Sequence, residues 1–399
     1  MENPYEYMQT ALDELSAQGN LRTLPLVLHE GRYLYAAGQK MLNLSSNDYL
    51  GLAADVELRT RFLESLTPED FLPSSSSSRL LTGNHLAFNE LEVALARLYG
   101  AESALVFNSG YDANTGILPA ITTKEDLILA DKLAHASLID GMRLSRARWV
   151  RFKHNNVKHL EHILSQYASN YRHVFIVTES VFSMDGDEAP LKELVRLKQL
   201  YPNVLLYVDE AHAFGLRGAR GLGCCEEQRC IPEIDFLMGT LGKAAASAGA
   251  FVICRRVIRD YLVNHVRSFI FTTALPPVIA KWSRHVLHLL PEMGERRQRL
   301  DQLARHLRTT LRVQKMKCPS SSHIIPLLIG DSAEAVRRAE DMQRQGFYVR
   351  AVRPPTVPEG TARLRISLRA DMTDGEMEQL IAYIKQMLHP RCNGVTSVL

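Results

Sequence analysis

The sequence predicts an α/β protein built on a mostly parallel central sheet, and three observations carry that expectation. Short apolar runs alternate with longer amphipathic segments through the middle of the chain, the order expected of parallel strands joined by covering helices. Each apolar run lies close to turn or helix signals. After Pro276-Pro277 the texture changes to a long charged helical stretch and then to separate strand-like segments, which marks a second, smaller α+β domain.

Taken in order, residues 1–40 read as an N-terminal arm, with an amphipathic helix over 5–18 followed by an extended segment. Residues 41–280 form the large domain, with strands expected at 103–107, 127–130, 174–178, 204–208, 236–238 and 250–254. Residues 281–399 form the small domain, with a helical stretch over 282–312, strands near 323–329 and 363–368, and a frayed tail over the last ten residues. The serine run at 74–78 alone has the composition of a solvated flexible loop, but the sequence that follows it, Arg79-Leu80-Leu81-Thr82-Gly83-Asn84, argues for an ordered segment.

Composition narrows the class of function. Forty-seven Lys and Arg stand against 44 Asp and Glu in 399 residues, a formal charge of +3, too even for a nucleic-acid groove or a polybasic membrane patch. No run of some 18 apolar residues is present and the first residues lack an apolar signal segment, so a soluble cytoplasmic protein acting on a small molecule is expected. The six cysteines show no CxxC pair and no His at ligand spacing, so Cys224, Cys225 and Cys230 read as reduced thiols and no metal is expected.

The strongest local signal is Gly239-Thr240-Leu241-Gly242-Lys243-Ala244, directly after an apolar run. A lysine between small residues at a strand end has room for a covalent link to a bulky aldehyde cofactor, although an exposed loop lysine would look the same. Upstream, the apolar run 204–208 ends in Asp209-Glu210-Ala211-His212. A carboxylate at the end of a buried strand needs a cationic partner. A protonated pyridine nitrogen about 4 Å away would gain about 4 kcal/mol at an effective dielectric of about 20, about three pK units. His212 is placed to reach the phenolic oxygen of the same ring. Asp-x-x-His also occurs as a helix cap or a metal half-site, and this pair does not exclude those alone.

A phosphate seat is offered by the run 103–107 followed by Asn108-Ser109-Gly110-Tyr111 and a helical segment, where free backbone N–H groups face an anion. Thr240 and Ser183 can add hydroxyls, and Tyr111 or His135 can cover a ring face. The glycine-rich segment 215–221 lacks GxGxxG spacing and reads as a loop.

These residues resemble the α-oxoamine synthases, pyridoxal 5'-phosphate (PLP) enzymes of the aspartate-aminotransferase fold type. The likeness runs from about 21 to 388 and includes Asn43-Leu44-Ser45-Ser46-Asn47-Asp48-Tyr49-Leu50-Gly51-Leu52, Thr178-Glu179-Ser180-Val181-Phe182-Ser183-Met184-Asp185-Gly186-Asp187, the His135 segment, Asp209 to His212 and the Lys243 hexapeptide. The segment 353–365, Arg-Pro-Pro-Thr-Val-Pro-Glu-Gly-Thr-Ala-Arg-Leu-Arg, is most similar to the biotin-pathway branch.

The resemblance implies a PLP-dependent condensation of L-alanine with a pimeloyl thioester, carried on coenzyme A or an acyl carrier protein, with loss of carbon dioxide. It implies that Lys243 anchors PLP, Asp209 pairs with the pyridinium, His135 stacks on the ring and His212 bonds its phenolic oxygen. Gly110, Tyr111, Ser183 and Thr240 would line the phosphate and its surroundings, with Thr272 and Thr273 reaching across from a second subunit of a homodimer. Asn47 and Arg365 match positions that hold the amino-acid carboxylate, and Arg22 one at the acyl-substrate entrance. Branches that use glycine or serine, and PLP lyases that use no thioester, share the cofactor residues. The chain departs from the family pattern in its serine run and in Ala245 and Ala246, where glycine is common.

Overall fold

The computed structural model describes residues 4–388; Cys392 and the expected frayed tail lie outside the described residues. The chain divides into two compact units, one made of residues 47–183 and 187–298, the other of 1–46, 184–186 and 299–399.

The larger unit holds a seven-stranded sheet in the spatial order Ser103–Phe107, Ala250–Cys254, Phe236–Thr240, Val204–Asp209, Val174–Glu179, Leu127–Asp131, Arg148–Phe152. Only Ala250–Cys254 runs against the rest, pairing antiparallel with both of its neighbours. The remaining pairs are parallel, so Asp131, Glu179, Asp209 and Thr240 all end their strands at one edge of the sheet. That carboxyl edge is where parallel α/β sheets present their ligand sites. Strands covered by helices on both faces are apolar throughout rather than alternating, and the runs at 103–107, 127–131, 174–179 and 250–254 are buried at every position. All six expected strands form; the seventh, Arg148–Phe152, carries two arginines and is mostly exposed.

Behind this edge, helix Gly110–Ile121 packs on helix Ala136–Leu144. Their close approach depends on Gly141, where a Cβ would sit 2.4 Å from the Asn114 carbonyl oxygen. The serine run is ordered as expected: the Ser75 hydroxyl donates to the Leu275 carbonyl at 2.6 Å, and the Ala274 N–H donates to the Ser77 carbonyl at 3.0 Å.

The smaller unit holds a three-stranded antiparallel sheet, Ile324–Gly330, Ala362–Ser367 and Ala351–Val352, and a four-stranded sheet of Leu28–Glu30, Tyr33–Ala36, Gln39–Asn43 and Phe347–Tyr348. The last pairs parallel with Gln39–Asn43, and Leu34, Met41 and Tyr348 bury a small apolar cluster. The arm read at residues 1–40 is therefore an integral part of this unit beyond its first helix, Glu6–Ala17, which buries no residue.

The division also falls later than residue 280. The expected helix over 282–312 is two, Pro277–Leu289 and Gly294–Val313, separated by a 3-10 turn at Leu290–Glu292 that contains Pro291. The first packs against helix Leu86–Tyr99, and its Trp282 ring meets Phe62 edge-on at 5.1 Å, which fixes it to the larger unit. Among the described residues no helix is long and apolar enough to cross a membrane.

Candidate active site

Lys243 follows strand Phe236–Thr240 in a tight loop. Leu241 N–H donates to the Gly249 carbonyl, Ser247 N–H to the Leu241 carbonyl and Ala246 N–H to the Lys243 carbonyl, each at 2.9 Å. Closing this loop places Ala246 at φ 48°, in the left-handed region that glycine adopts without cost. The Lys243 Nζ lies 2.9 Å from His212 Nε2. His212, 4% exposed, has its Nδ1 2.8 Å from the Tyr49 hydroxyl, which donates to Asn47 Oδ1 at 2.9 Å.

Asp209 is buried at the end of its strand. Its Oδ2 accepts from Asn114 Nδ2 and its Oδ1 from the Ala211 N–H, both at 2.9 Å. Asn114 also donates to Ser137 Oγ at 2.9 Å and accepts from the Tyr207 hydroxyl at 2.6 Å. Ser137 Oγ lies 2.8 Å from His135 Nδ1, so one network sets both Asp209 and His135. His135 caps helix Ala136–Leu144, with Nδ1 accepting the Ser137 N–H at 3.2 Å, which leaves the proton on Nε2. Although part of the residue is exposed, packing around the ring disfavours its charged form and lowers its pKa; Lys243 adds to this and Asp209 opposes it. A neutral imidazole results, suited to lie flat on an aromatic ring.

Helix Gly110–Ile121 begins at the same edge, capped by Ser109, whose Oγ accepts the Asp112 N–H at 3.0 Å. Tyr111 is half exposed, and its hydroxyl donates to Asp140. The Thr240 hydroxyl, read as a phosphate donor, here donates to the Gly249 carbonyl at 3.1 Å and accepts the Gly242 N–H. Ser183 is buried beyond strand Val174–Glu179. Thr272 and Thr273, expected to serve from a second subunit, both accept from Asn108 Nδ2 of their own chain, at the Thr272 hydroxyl (3.3 Å) and the Thr273 carbonyl (2.7 Å).

The larger unit thus brings together Lys243, His212, Asp209, His135 and Asn47. Arg22 and Arg365 belong to the smaller unit, where Arg22 Nη2 donates to Thr356 Oγ1 at 3.1 Å and Arg365 Nη1 to Ser367 Oγ at 2.6 Å. The sequence reading gave no role to Tyr49, Asn114, Ser137 or Glu179. Tyr49 and Glu179 stood in the quoted motifs, whereas Asn114 shares its helix with Asp112 and Thr115 and did not stand out among them.

Elsewhere, Glu188, Cys224 and Glu227 bring ligand-type atoms within 4.8 Å of one another. Arg217 pairs with both carboxylates, at 3.1 and 2.8 Å, and burial raises the Cys224 thiol well above its ordinary pKa. A protonated thiol beside a guanidinium is a poor metal ligand.

The donor set fits PLP. A primary amine stands just beyond a strand end, within hydrogen-bond distance of the His212 imidazole. Beside it a buried carboxylate has both oxygens held by neutral N–H donors, leaving its charge for a pyridinium. The chain belongs to the aminotransferase class I and II family, whose model matches residues 39–384. Its relatives carry a narrower name. A Pasteurella multocida protein named "Putative 8-amino-7-oxononanoate synthase" is 51% identical over 384 residues, 96% of this chain and 99% of that one. A Haemophilus influenzae protein of the same name is 48% identical over 373 residues, 94% and 98%.

Among solved structures, the S. paucimobilis serine palmitoyltransferase with bound PLP and myriocin superposes with a TM-score of 0.88 at 29% identity, covering 97% of each chain. The Francisella tularensis 8-amino-7-oxononanoate synthase superposes with a TM-score of 0.73 at 28% identity, covering 87% of this chain and 98% of that one. The protein is a PLP-dependent enzyme of the acyltransferase type, within the α-oxoamine synthases.

Proposed function

We propose that the enzyme condenses L-alanine with a pimeloyl thioester to give 8-amino-7-oxononanoate, carbon dioxide and the free thiol carrier, the chemistry of biotin formation. The observation that carries this is the identity of about half over nearly the whole chain to proteins of that name. When bound, PLP supplies an electron sink for negative charge formed at the alanine Cα. Lys243 anchors the cofactor and, once displaced by alanine, accepts the Cα proton at Nζ. His212 holds that amine in place and serves the phenolic oxygen, while Asp209 keeps the ring nitrogen protonated and His135 covers the ring face.

Gly110, Tyr111, Ser183 and Thr240 surround the phosphate, with Thr272 and Thr273 of a second subunit in a cytoplasmic homodimer. Asn47 and Arg365 hold the alanine carboxylate, and Arg22 meets the acyl donor, on coenzyme A or an acyl carrier protein. Arg365→Lys keeps the charge but loses the two-pronged pairing, so it should weaken alanine binding in a spectral titration.

The test is a condensation assay crossing alanine, glycine and serine with pimeloyl, acetyl and long-chain acyl thioesters. Alanine with the pimeloyl donor should give the highest kcat/KM. Preference for glycine with acetyl or serine with a long chain, or cleavage of an amino acid without any thioester, overturns the reading.

A further inference from the structure

Glu179 ends strand Val174–Glu179 and stands opposite Asp209 in the parallel register. Adjacent strands in register point matching side chains to the same side, so the two carboxyl groups are neighbours. Glu179 is 2% exposed, and its Oε1 is buried without a hydrogen-bond partner. An orphaned polar atom of this kind is rare in a folded chain and calls for an explanation.

Two adjoining carboxyl groups in a water-poor pocket do not both ionise. Each Asp209 oxygen accepts an N–H, whereas Glu179 Oε1 meets no donor, so Glu179 is the one left neutral. Burial, and then the charge of Asp209, hold the Glu179 pKa well above the ordinary carboxylate range. Lys243 and the backbone amides of His135 and Ser183 pull the other way and do not prevail. Those same groups locate Glu179 among the residues assigned to the cofactor. The charged side chains that act most on it are Asp209 and Lys243.

We propose that Glu179 is a further residue of the reaction centre, a neutral acid whose Oε1–H donates a hydrogen bond to an electron-rich oxygen of the bound cofactor or of the substrate. A carboxylate there would repel such an oxygen, and an apolar side chain would leave it unpaired. The inference rests on this being the PLP site and, for its substrate arm alone, on the proposed function.

Infrared difference spectra of the holoenzyme, wild type against Glu179→Gln, test it. The wild-type enzyme should show the carbonyl stretch of a protonated carboxyl group at neutral pH, absent in the variant. Reconstituting the apoenzyme with PLP shifts that band if the acceptor is a cofactor oxygen. Adding alanine, or the acyl thioester afterwards, shifts it if the acceptor belongs to the substrate. In turnover, Glu179→Leu should lose about tenfold more kcat than Glu179→Gln, which keeps a neutral donor.

Thermal midpoints of both variants separate this loss from a folding defect. Absence of the protonated band, a band that neither PLP nor substrate moves, or equal losses in the two variants at matched stability overturns the proposal. The infrared arm with PLP needs no acyl donor, so its outcome is independent of which thioester the condensation assay selects.

Discussion

The Lys243 Nζ lies 2.9 Å from His212 Nε2, and the opposite ring nitrogen lies 2.8 Å from the Tyr49 hydroxyl. Because Tyr49 spends its one proton on Asn47 Oδ1, its oxygen can only accept from the ring. His212 therefore carries its proton on Nδ1 and turns the Nε2 lone pair to Lys243, which donates. Tyr49, two positions beyond Asn47 and itself given no role in the sequence, thus selects the tautomer that holds the lysine.

Tyr49→Phe tests this arrangement. The ring N–H loses its acceptor in a buried site, or the tautomer flips and presents a donor to a donor. Either costs about 1–3 kcal/mol, so kcat should fall by about tenfold or more and the urea midpoint should drop. Full activity with unchanged stability would remove Tyr49 from the relay.

Asp209→Asn keeps the side-chain shape, and an amide oxygen can still accept from Asn114. What it removes is the charge opposite the ring nitrogen. The chemical step should slow by about 10²–10³, the equivalent of the ~4 kcal/mol attraction after partial compensation, while PLP retention changes far less. Alanine Cα–H exchange followed by NMR reads the step directly, and near-normal exchange contradicts the assignment.

His154 bridges two carboxylates, with Nδ1 2.8 Å from Asp131 and Nε2 2.6 Å from Asp187. Burial alone would lower its pKa, but hydrogen bonds and charge from both aspartates outweigh that and raise it to about 10. A group whose folded pKa lies above its unfolded value of about 6.5 stabilises fully below the unfolded value and loses that contribution as pH rises through the folded one. Thermal midpoints should therefore fall between about pH 6.5 and 10 in the native enzyme, and this slope should be shallower in His154→Gln. Parallel profiles for the two proteins would mean that His154 is not the titrating group.

Ala246 occupies a left-handed conformation at φ 48° in the loop that presents Lys243. A side chain there costs about 1–2 kcal/mol, while glycine adds about 0.4–1 kcal/mol of unfolded-chain entropy. Ala246→Gly should therefore raise unfolding stability by about 0.5 kcal/mol in urea titrations. A loss of stability would show that the methyl group contributes packing that outweighs the strain.

The legible part of this protein was the part where chemistry interrupts an apolar run. Lys243, Asp209 and His212 stand out because each lies at the end of a buried strand or within three residues of it, where a charged or titratable group has no structural reason to be. Asn114 and Ser137 sit inside amphipathic helices, where a polar residue ordinarily means a solvent face, and only the packing at Gly141 shows that this face turns to the site. Glu179 and Tyr49 lay inside recognised motifs, but hydrogen-bond direction and register gave them roles. The boundary near 280 misread helix Pro277–Leu289 because charge on its outer face hides the ring contact with Phe62. The strands at 28–43 are too short to announce themselves by period.

The strand Arg148–Phe152 closes one side of the large sheet, pairing only with Leu127–Asp131 among the described residues. Its outer rim of backbone N–H and carbonyl groups is the kind of template on which a stray chain can add and aggregation can begin. Arg148 and Arg151 are exposed along that rim, and Arg148 leans over the Tyr167 ring at 5.4 Å. Two copies meeting rim to rim would set guanidinium against guanidinium, so the charge that hid this strand from a reading of apolar runs is also what keeps the sheet from growing into its neighbours.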